Sequence, residues 1–400
     1  MIRMGPNEAK ATPSVKPGAR QRVRHIACTL EALGMLSEAV VATTSIRMQE
    51  YTGAVFVLFL WTVLMKRKNH MQNHDWEPRI SVVIVNWNGA QHLRSCLPTL
   101  ACQTFKALEV IVVDNHSSDD SGEVARSFDA RWVALEENIG LAPALNRGAA
   151  TASGSFLLFV NNDMRFDSEF VFALAAPLLE DDGIFASDGM QFNWDGTVRA
   201  HLAAQLSKVK PPSHSSTELV PGLYFYQWEA VERKTVFMAS AACMMVRRTL
   251  FEKLGGFDER LPLGYEDVEI CWRAWMHRWK TVYVPSAICW HRISASGKAP
   301  EGARLNFSGI LRGRLLLATK LLPARYALRT WLVSIAGLAK DLGLRRWMRG
   351  RDRVVLLAHM AGLVRQLLRE RRALFRQADC SPEEQLEYLL HLSKNEANPI

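Results

Sequence analysis

Three continuous apolar stretches constrain the fold of this chain more than any other feature of its sequence. The stretches are Ile80–Val85, Leu108–Val113 and Phe156–Val160, and they are rich in β-branched and large apolar side chains. Strands that are apolar throughout are typical of a parallel sheet with helices on both faces. Between the first two stretches, Gln91–Gln103 carries leucines at helical spacing, which predicts one of these covering helices. The sequence therefore predicts an α/β domain.

Polar residues follow each of the three predicted strands. Asn86 follows the first strand and Asp114 the second, while Asn161, Asn162 and Asp163 follow the third. Ligands of open α/β sheets bind beyond the carboxyl ends of the strands. Carboxylate and amide groups held there suit hydrogen bonds to a base or ribose and binding of a hard divalent cation. A single Asp at such a place is explained equally well as a helix cap, but three polar strand ends at one edge predict a ligand site.

The regions that flank this domain differ from it in composition. Tyr51–Met65 is free of charge and is followed by Lys66, Arg67 and Lys68, which predicts a membrane anchor, an interfacial helix or a buried helix. The proline- and serine-rich stretch Ser207–Gly222 predicts an exposed loop. We divide the chain into an N-terminal extension at 1–50, an anchor and basic linker at 51–78, a catalytic domain at 79–300 and a basic helical region at 301–400.

The C-terminal region is strongly basic, with sixteen Lys and Arg against three Asp and Glu between Leu311 and Arg376. This excess predicts an anionic partner. An amphipathic helix within it predicts either an interfacial helix lying on anionic lipid or a helix packed on its own domain. We expect a membrane surface rather than nucleic acid. One face of this helix carries Arg365, Arg369, Arg372 and Arg376, and the adjacent stripe carries Val364, Leu367, Leu368 and Phe375.

Five motifs in the same order and at similar spacing resemble family 2 glycosyltransferases of the GT-A fold. They are ISVVIVNWNG, VIVVDNHSSD, ENIGLAPALNRGAATASGSFLLFVNND, FMASAACMMVRRTLFEKLGGFDERLPLGYEDVEICWRAW and YVPSAICWH. The resemblance extends from about Arg79 to Lys320, and within the family it points to bacterial rhamnosyltransferase-like enzymes of cell-surface polysaccharide assembly. It implies a mixed, mostly parallel sheet, a nucleotide-diphosphate sugar as donor, and Mg²⁺ or Mn²⁺ as cofactor.

The resemblance also implies roles for individual residues. Asp114 corresponds to the carboxylate that contacts the base or ribose, and Asp163 to the last acid of the metal-binding motif. His291 lies where some relatives place a further metal or phosphate contact. The metal ligands predicted are therefore Asp163 and His291. The residues assigned to the nucleotide sugar are Asn86, Asp114, Asn138, Gly140, Asn146, Asn162 and Asp163.

The resemblance assigns the general base to Asp267 in the pair Glu266-Asp267, which precedes a predicted helix at Val268–Met276. The catalytic residues predicted are therefore Asp267 and Glu266, with Glu266 as the next candidate for the base. Inversion at the sugar carbon requires a carboxylate that takes a proton from the acceptor hydroxyl. The positive amino end of the helix is expected to lower the pKa of Asp267. Helix capping by the two acids is the alternative interpretation.

Three other functions would leave different features in the sequence. Processive synthases of the superfamily carry a QxxRW motif. The Arg-Trp pairs of this chain have Phe128, Trp275 or Gly343 in place of the Gln, so the motif is absent and transfer of a single sugar is favoured. A nucleotidyltransferase would show a basic, glycine-rich loop after the first strand, and this chain has Asn-Trp-Asn-Gly there. A sugar-nucleotide-binding or scaffold protein without transfer activity is the remaining alternative, although both Asp163 and Asp267 are retained.

We therefore predict an inverting, non-processive glycosyltransferase that acts on a hydroxyl of a glycan acceptor, which is expected to be lipid-linked. Tyr51–Met65 and the basic helices are expected to hold it on the cytoplasmic face of the inner membrane, because the basic residues after an apolar segment favour the cytoplasmic side.

Overall fold

The computed structural model describes residues 79–197, 203–210, 216–228, 230–292, 307–378 and 380–392. The apolar segment Tyr51–Met65 and the basic linker after it lie outside the described residues, so the anchor stays a prediction. Within the described ranges, no helix combines the length and the apolar character that a membrane crossing requires.

Strands and helices alternate through the first half of the described chain. The strands are β1 (Ile80–Asn86), β2 (Leu108–Asp114), β3 (Arg131–Ala134), β4 (Phe156–Asn161), β5 (Met164–Phe166), β6 (Ile184–Asn193), β7 (Ala203–Ser207), β8 (Ser216–Val220), β9 (Leu223–Trp228), β10 (Lys234–Val236), β11 (Cys243–Arg247) and β12 (Lys280–His291). The helices are α1 (Ala90–Ala101), α2 (Ser121–Arg126), α3 (Leu141–Thr151), α4 (Phe170–Glu180), α5 (Arg248–Lys253), α6 (Glu266–Met276), α7 (Phe307–Leu321), α8 (Ala324–Gly343), α9 (Trp347–Ala378) and α10 (Pro382–Leu390).

The main sheet contains nine of the described strands, in the order β10-β12-β6-β11-β4-β1-β2-β3, with β5 paired to β12. Strands β4, β1, β2 and β3 run parallel, whereas β11 is antiparallel to both of its neighbours. The predicted mixed α/β sheet is confirmed. Because β11 runs in reverse, its first residue Cys243 lies opposite Val160 near the carboxyl end of β4. The turn that leads into β11 therefore reaches the edge where the polar strand ends meet.

Apolar side chains cover both faces of this sheet. On one face Ile84 of β1 and Leu97 of α1 belong to a single buried cluster. On the other face Phe159 of β4, Trp272 of α6 and Leu315 of α7 belong to a second cluster. Burial on both faces explains why the strands are apolar throughout rather than at alternate positions.

A smaller antiparallel sheet in the order β7-β9-β8 lies in the region that was predicted to be a loop. Ser216–Val220 forms β8, so the loop prediction for Ser207–Gly222 is wrong over this part. Leu219 and Val220 are 2% and 0% exposed, respectively. Their burial, together with pairing to β9, outweighs the local preference of the nearby Pro and Ser residues for a loop.

The C-terminal helices pack on the catalytic domain and share its second apolar cluster. Lys320 of α7 lies 2.7 Å from Asp258 and 2.8 Å from Glu269 of α6. In α9, Leu367 and Phe375 are 0% and 9% exposed, and both belong to the core cluster. Packing on the chain's own domain is therefore the correct interpretation for Leu367 and Phe375, whereas Leu368 of the same stripe is 39% exposed.

Candidate active site

The residues predicted to contact the nucleotide lie in part at the carboxyl ends of β1 and β2. Asn86 and Asp114 are register partners in adjacent parallel strands, and both are buried. The hydroxyl of Ser117 joins them, because it donates to the Asp114 carboxylate and accepts from Asn86 Nδ2 at 3.3 Å. Asn162 Nδ2 donates to Asn86 Oδ1 at 2.7 Å. A Cβ atom at Gly89 would lie 2.2 Å from Asn162 Nδ2, so glycine there leaves room for this contact.

A turn at residues 138–140 is held beside Asp114 by Asn115, which the sequence analysis missed. Asn115 Oδ1 accepts from the Ile139 N–H at 2.9 Å, and Asn115 Nδ2 donates to the Gly140 carbonyl at 3.2 Å. Asn138 closes the same turn by accepting the Gly140 N–H at 3.1 Å. Gly140 has a φ of 89°, which favours glycine. The amide that directly follows Asp114 in the sequence was the available signal.

Asn146 lies one turn into α3 and is not part of this group. Its Nδ2 donates to the Phe257 carbonyl at 2.9 Å, and its Oδ1 accepts from the Phe257 N–H at 3.0 Å. A further bond reaches Glu259 Oε1 at 3.1 Å. Both ends of the amide are therefore used to tie α3 to the segment that follows α5. This role differs from the nucleotide contact that was predicted for Asn146.

Asp163 and His291 meet because β5 pairs with β12. This pairing places His291 opposite Met164, the residue after Asp163. His291 Nε2 lies 3.1 Å from the Asp163 carboxylate and 3.3 Å from Asn161 Nδ2. A carboxylate beside an imidazole suits Mn²⁺, and suits Mg²⁺ when phosphate oxygens complete the shell. No cluster of three or more His, Cys, Asp and Glu side chains occurs in the described ranges, so a metal here requires further ligands from amides, water or phosphate.

Arg292 directly follows His291 and is bonded to Asp163 through its backbone. The Arg292 N–H donates to the Asp163 carbonyl at 2.9 Å. The Arg292 guanidinium stacks on the ring of Trp194 at 4.1 Å, and Arg165 stacks on the same ring at 4.6 Å. Stacking on an aromatic ring limits the freedom of a long arginine side chain. Arg292 was not among the predicted site residues, and it suits an anionic group bound next to Asp163.

Glu266 and Asp267 begin α6 and have different surroundings. Glu266 Oε2 accepts the N–H groups of Gly264 and Tyr265 at 2.7 and 3.0 Å, so it caps the preceding turn. Burial, with the Asp267 charge as a second cause, raises the pKa of Glu266 to about 8. Asp267 accepts from the Val268 N–H at 2.8 Å and from the Ala241 N–H at 3.3 Å.

The pKa of Asp267 was expected to fall, and the structure gives the opposite direction. Burial raises the pKa of Asp267 to about 6, although hydrogen bonds from the backbone act to lower it. Loss of water around a carboxylate disfavours its charged form, and here this effect exceeds the benefit of the helix amino end. The result is a carboxylate that is ionised at neutral pH and close enough to its pKa to take up a proton.

The turn at Ser240–Cys243 connects Asp267 to Asn161, two residues before Asp163. Its Ala241 N–H donates to Asp267 Oδ2 at 3.3 Å, and its Ala242 carbonyl accepts from the Asn161 N–H at 3.1 Å. Two candidate groups that are far apart in sequence are thus fixed to one four-residue turn.

Asp188 of β6 contacts both ends of this turn. The sequence analysis did not identify this residue. Its Oδ2 accepts from the Ser240 N–H at 3.0 Å, and its Oδ1 accepts from Cys243 Sγ at 3.1 Å. Burial raises the pKa of Asp188 to about 7. An acid in the middle of a mostly apolar strand was the only sequence signal for it.

Comparison with protein families identifies the domain that carries most of these residues. Residues 81–255 match the family described as Glycosyl transferase family 2. The match runs from β1 past the end of α5, and it includes Asp114, Asp163 and Asp188.

Two bacterial proteins are similar to this chain over about half of its length. The glycosyltransferase GlyA of Streptococcus pneumoniae is 28% identical over 225 residues, which are 54% of this chain and 31% of that protein. The N-acetylglucosaminyl-diphospho-decaprenol L-rhamnosyltransferase of Mycobacterium tuberculosis is 27% identical over 250 residues, which are 55% of this chain and 78% of that protein. The similarity to the pneumococcal protein thus spans less than a third of its length.

Among solved structures, GalNAc-T7 with UDP, GalNAc and Mn²⁺ is similar with a TM-score of 0.54 and 16% sequence identity. The similarity covers 80% of this chain and 58% of that chain. At this level of identity it supports the fold alone. Together with the family match, it confirms the predicted resemblance. Residues 81–255 of this chain thus match the glycosyl transferase family 2 model, and the described structure has the GT-A fold.

Proposed function

We propose that this protein transfers one sugar from a nucleotide-diphosphate donor to a hydroxyl group of a glycan acceptor, with inversion at the sugar carbon. The observation that carries the proposal is the turn at Ser240–Cys243, which is bonded to Asp267 on one side and to Asn161, next to the Asp163–His291 pair, on the other. In the proposed reaction, the acceptor hydroxyl attacks the sugar carbon from which the nucleoside diphosphate departs. Holding the base and the diphosphate site on one turn suits this reaction, because both groups act at the same carbon.

At the donor end, Asp114 and the turn that carries Asn138 and Gly140 would hold the base and ribose. Asp163 and His291 would hold Mg²⁺ or Mn²⁺, and this cation would neutralise the charge that develops on the diphosphate as it leaves. Arg292, whose N–H bonds the Asp163 carbonyl and whose guanidinium stacks on Trp194, would supply a positive charge near the diphosphate. The asparagines that precede Asp163 contribute no charge.

At the acceptor end, Asp267 would take the proton from the attacking hydroxyl. Burial raises the pKa of Asp267 to about 6, which suits a base that works near neutral pH. Burial also raises the pKa of Glu266, and its hydrogen bonds from the Gly264 and Tyr265 N–H groups favour support of the turn over proton transfer.

The class of acceptor and the location are further parts of the proposal. The rhamnosyltransferase relative is named for a diphospho-decaprenol acceptor, which supports a deoxyhexosyl or hexosyl transfer to a lipid-linked saccharide here. Such an acceptor requires a site at a membrane surface, and sugar nucleotides are drawn from the cytosol. We therefore place the protein on the cytoplasmic face of the inner membrane.

The experiment that tests the proposal uses the purified full-length chain with a panel of nucleotide sugars, Mn²⁺ and a synthetic lipid-linked saccharide. We expect one donor to give a product that is one sugar larger than the acceptor, with inverted anomeric configuration by NMR. The Asp267→Asn variant serves as the inactive control. Binding of a nucleotide sugar without any transfer in the wild type, across donors and acceptors, would instead support the sugar-binding scaffold.

A further inference from the structure

Most of the side chains that helix α8 buries against the rest of the described structure are polar. Its buried residues are Tyr326, Thr330, Ser334 and Asp341. Thr330 Oγ1 donates to the Tyr326 carbonyl at 2.7 Å, and Ser334 Oγ donates to the Thr330 carbonyl at 2.6 Å. Asp341 forms a buried ion pair with Arg353 of α9 at 2.9 Å. The inward face of α8 is therefore polar, and its polar groups are satisfied by hydrogen bonds.

The outward face of the same helix is apolar. Leu328, Leu332, Ile335 and Leu342 are 62%, 57%, 52% and 40% exposed. Their spacings of four, three and seven residues place them on one side of the helix. A surface helix of a water-soluble domain normally has the opposite arrangement, with its apolar stripe facing the core.

Two further apolar side chains are exposed on α9, where Trp347 is 65% and Val355 is 64% exposed. On α8 the exposed apolar side chains share one side of a single helix, and a row of this kind marks a site of interaction. We call this surface of α8 the outer apolar face, and define it by Leu328, Leu332, Ile335 and Leu342.

The segment that carries the outer apolar face is basic. Between Ala324 and Val355 there are eight Arg and Lys against two Asp, and one of these acids, Asp341, is already paired with Arg353. Arg325 is close to Leu328 along α8, and Arg345 and Arg346 follow Leu342 within four residues. Exposed apolar side chains on a basic segment are the combination that suits a headgroup boundary of anionic lipid.

The same charges argue against a second copy of the chain as the occupant. In a two-fold dimer each face meets its own copy, so two clusters of net positive charge would be brought together. Like charges opposed across an interface cost free energy. An anionic lipid surface, in contrast, satisfies the apolar and the basic residues at once.

We infer that the outer apolar face lies in the headgroup and upper acyl region of an anionic bilayer, with α8 parallel to the membrane plane. This inference rests on the membrane location proposed above and specifies the surface that makes the contact. At 1.5 Å per residue the 20 residues of α8 extend about 30 Å along the surface. The contact is peripheral and reversible, and it adds to whatever attachment Tyr51–Met65 provides.

The test combines vesicle co-sedimentation with local hydrogen–deuterium exchange on the full-length chain. Vesicles of phosphatidylcholine are compared with vesicles that also contain phosphatidylglycerol. We expect the phosphatidylglycerol vesicles to slow exchange in residues 324–355. We expect the double variant Leu332→Ser/Ile335→Ser to lower vesicle affinity by about tenfold or more and to lose this protection. The matched control is Phe172→Ser on α4, where an apolar side chain is 42% exposed outside this face, and it should behave as the wild type.

Several results would overturn the inference. Unchanged vesicle affinity and unchanged exchange in the double variant would remove the outer apolar face from membrane contact. Protection of residues 324–355 without vesicles would assign the face to another occupant: a second copy if it rises with protein concentration, or the chain's own N-terminal segment if it does not. Transfer to a water-soluble acceptor should be the same in the wild type and the double variant, so failure of this inference is distinguishable from failure of the proposed reaction.

Discussion

The turn at Ser240–Cys243 is bonded to Asp267 on one side and to Asn161, two residues before Asp163, on the other, but Asp163 and Asp267 are held in different ways. Both oxygens of Asp267 accept backbone N–H groups, at 2.8 and 3.3 Å, and burial raises its pKa to about 6. Asp163 instead contacts a side chain, with His291 Nε2 at 3.1 Å. The chemistry at the base end is therefore fixed by the backbone before any ligand arrives. The donor end consists of side chains that are suited to rearrange around a metal and a diphosphate.

This contrast predicts the largest effect for Asp267→Asn. The variant keeps the shape of the side chain but cannot take a proton, so we expect kcat to fall by about 10²–10⁴-fold. Because the proposed role of Asp267 concerns the acceptor hydroxyl, the Kd of the donor, measured by calorimetry, should stay within about twofold of the wild-type value.

The matched control for this variant is Glu266→Gln. Burial raises the pKa of Glu266 to about 8, so a neutral glutamine resembles the form that is present at pH 7. We expect a much smaller loss of kcat than in Asp267→Asn. Equal losses in the two variants, or near-normal turnover by Asp267→Asn, would show that the base has been wrongly assigned.

At the donor end we predict the opposite pattern for Asp163→Ala. Loss of the only carboxylate in the Asn-Asn-Asp motif should raise the Kd of the nucleotide diphosphate by at least about tenfold in the presence of Mn²⁺. It should also remove most of the dependence of binding on Mn²⁺. The corresponding nucleoside, which lacks phosphates, serves as the ligand control and should bind both proteins equally. Metal-independent binding in the wild type would contradict a metal site at Asp163 and His291.

The same contrast separates what the sequence predicted from what it did not. Apolar continuity predicted the strands and their polar ends, so Asn86, Asp114 and Asp163 were expected at one edge of the sheet. Hydrogen bonding of Asn146 to Phe257 was not predictable, because it depends on a loop more than a hundred residues away. The direction of the pKa shift of Asp267 also depends on burial by distant segments, whereas the helix amino end is visible in the sequence.

The basic C-terminal helices illustrate the same limit. The stripe that contains Leu367 and Phe375 has the same periodicity whether a helix meets lipid or its own domain, and the structure places it in the core. In α8 the residues that face inward are polar, which a periodicity argument takes for the solvent side. A periodic pattern identifies two faces of a helix, but the tertiary structure decides which of them is buried.

The third prediction concerns pH and follows from the buried base. Asp267 must be ionised to take the proton, and its pKa is raised to about 6. We therefore expect kcat/KM to fall as pH decreases through about 6, by about tenfold for each unit below it. Rates between pH 4.5 and 8 check this, with folding monitored by circular dichroism. The residual activity of Asp267→Asn should not show this decrease of kcat/KM at acidic pH. The same decrease in both proteins would assign the titration to another group.

The smallest effect is predicted for Asp188→Asn, which tests whether the turn itself matters. Burial raises the pKa of Asp188 to about 7, above an unfolded value of about 4. A raised pKa contributes stability at low pH that is lost as the pH rises through about 7. The variant lacks this contribution to stability at low pH. It also leaves an amide group facing backbone N–H donors, which costs about 1–3 kcal/mol. We therefore expect the free energy of unfolding to be lower in the variant at pH 5, and the difference to shrink by pH 8.

The consequence for catalysis follows from the bond between Ser240 and Asp188 at 3.0 Å. When this bond weakens, the turn that donates the Ala241 N–H to Asp267 is less well fixed, so we expect kcat to fall severalfold with little change in the KM of the donor. Asp182→Asn is the matched control, because its side chain is 99% exposed and the same chemical change there should alter stability by less than about 0.5 kcal/mol. If Asp188→Asn changes the donor KM more than kcat, the turn supports the diphosphate end instead of the base. If it matches the control in both measurements, the turn does not depend on Asp188.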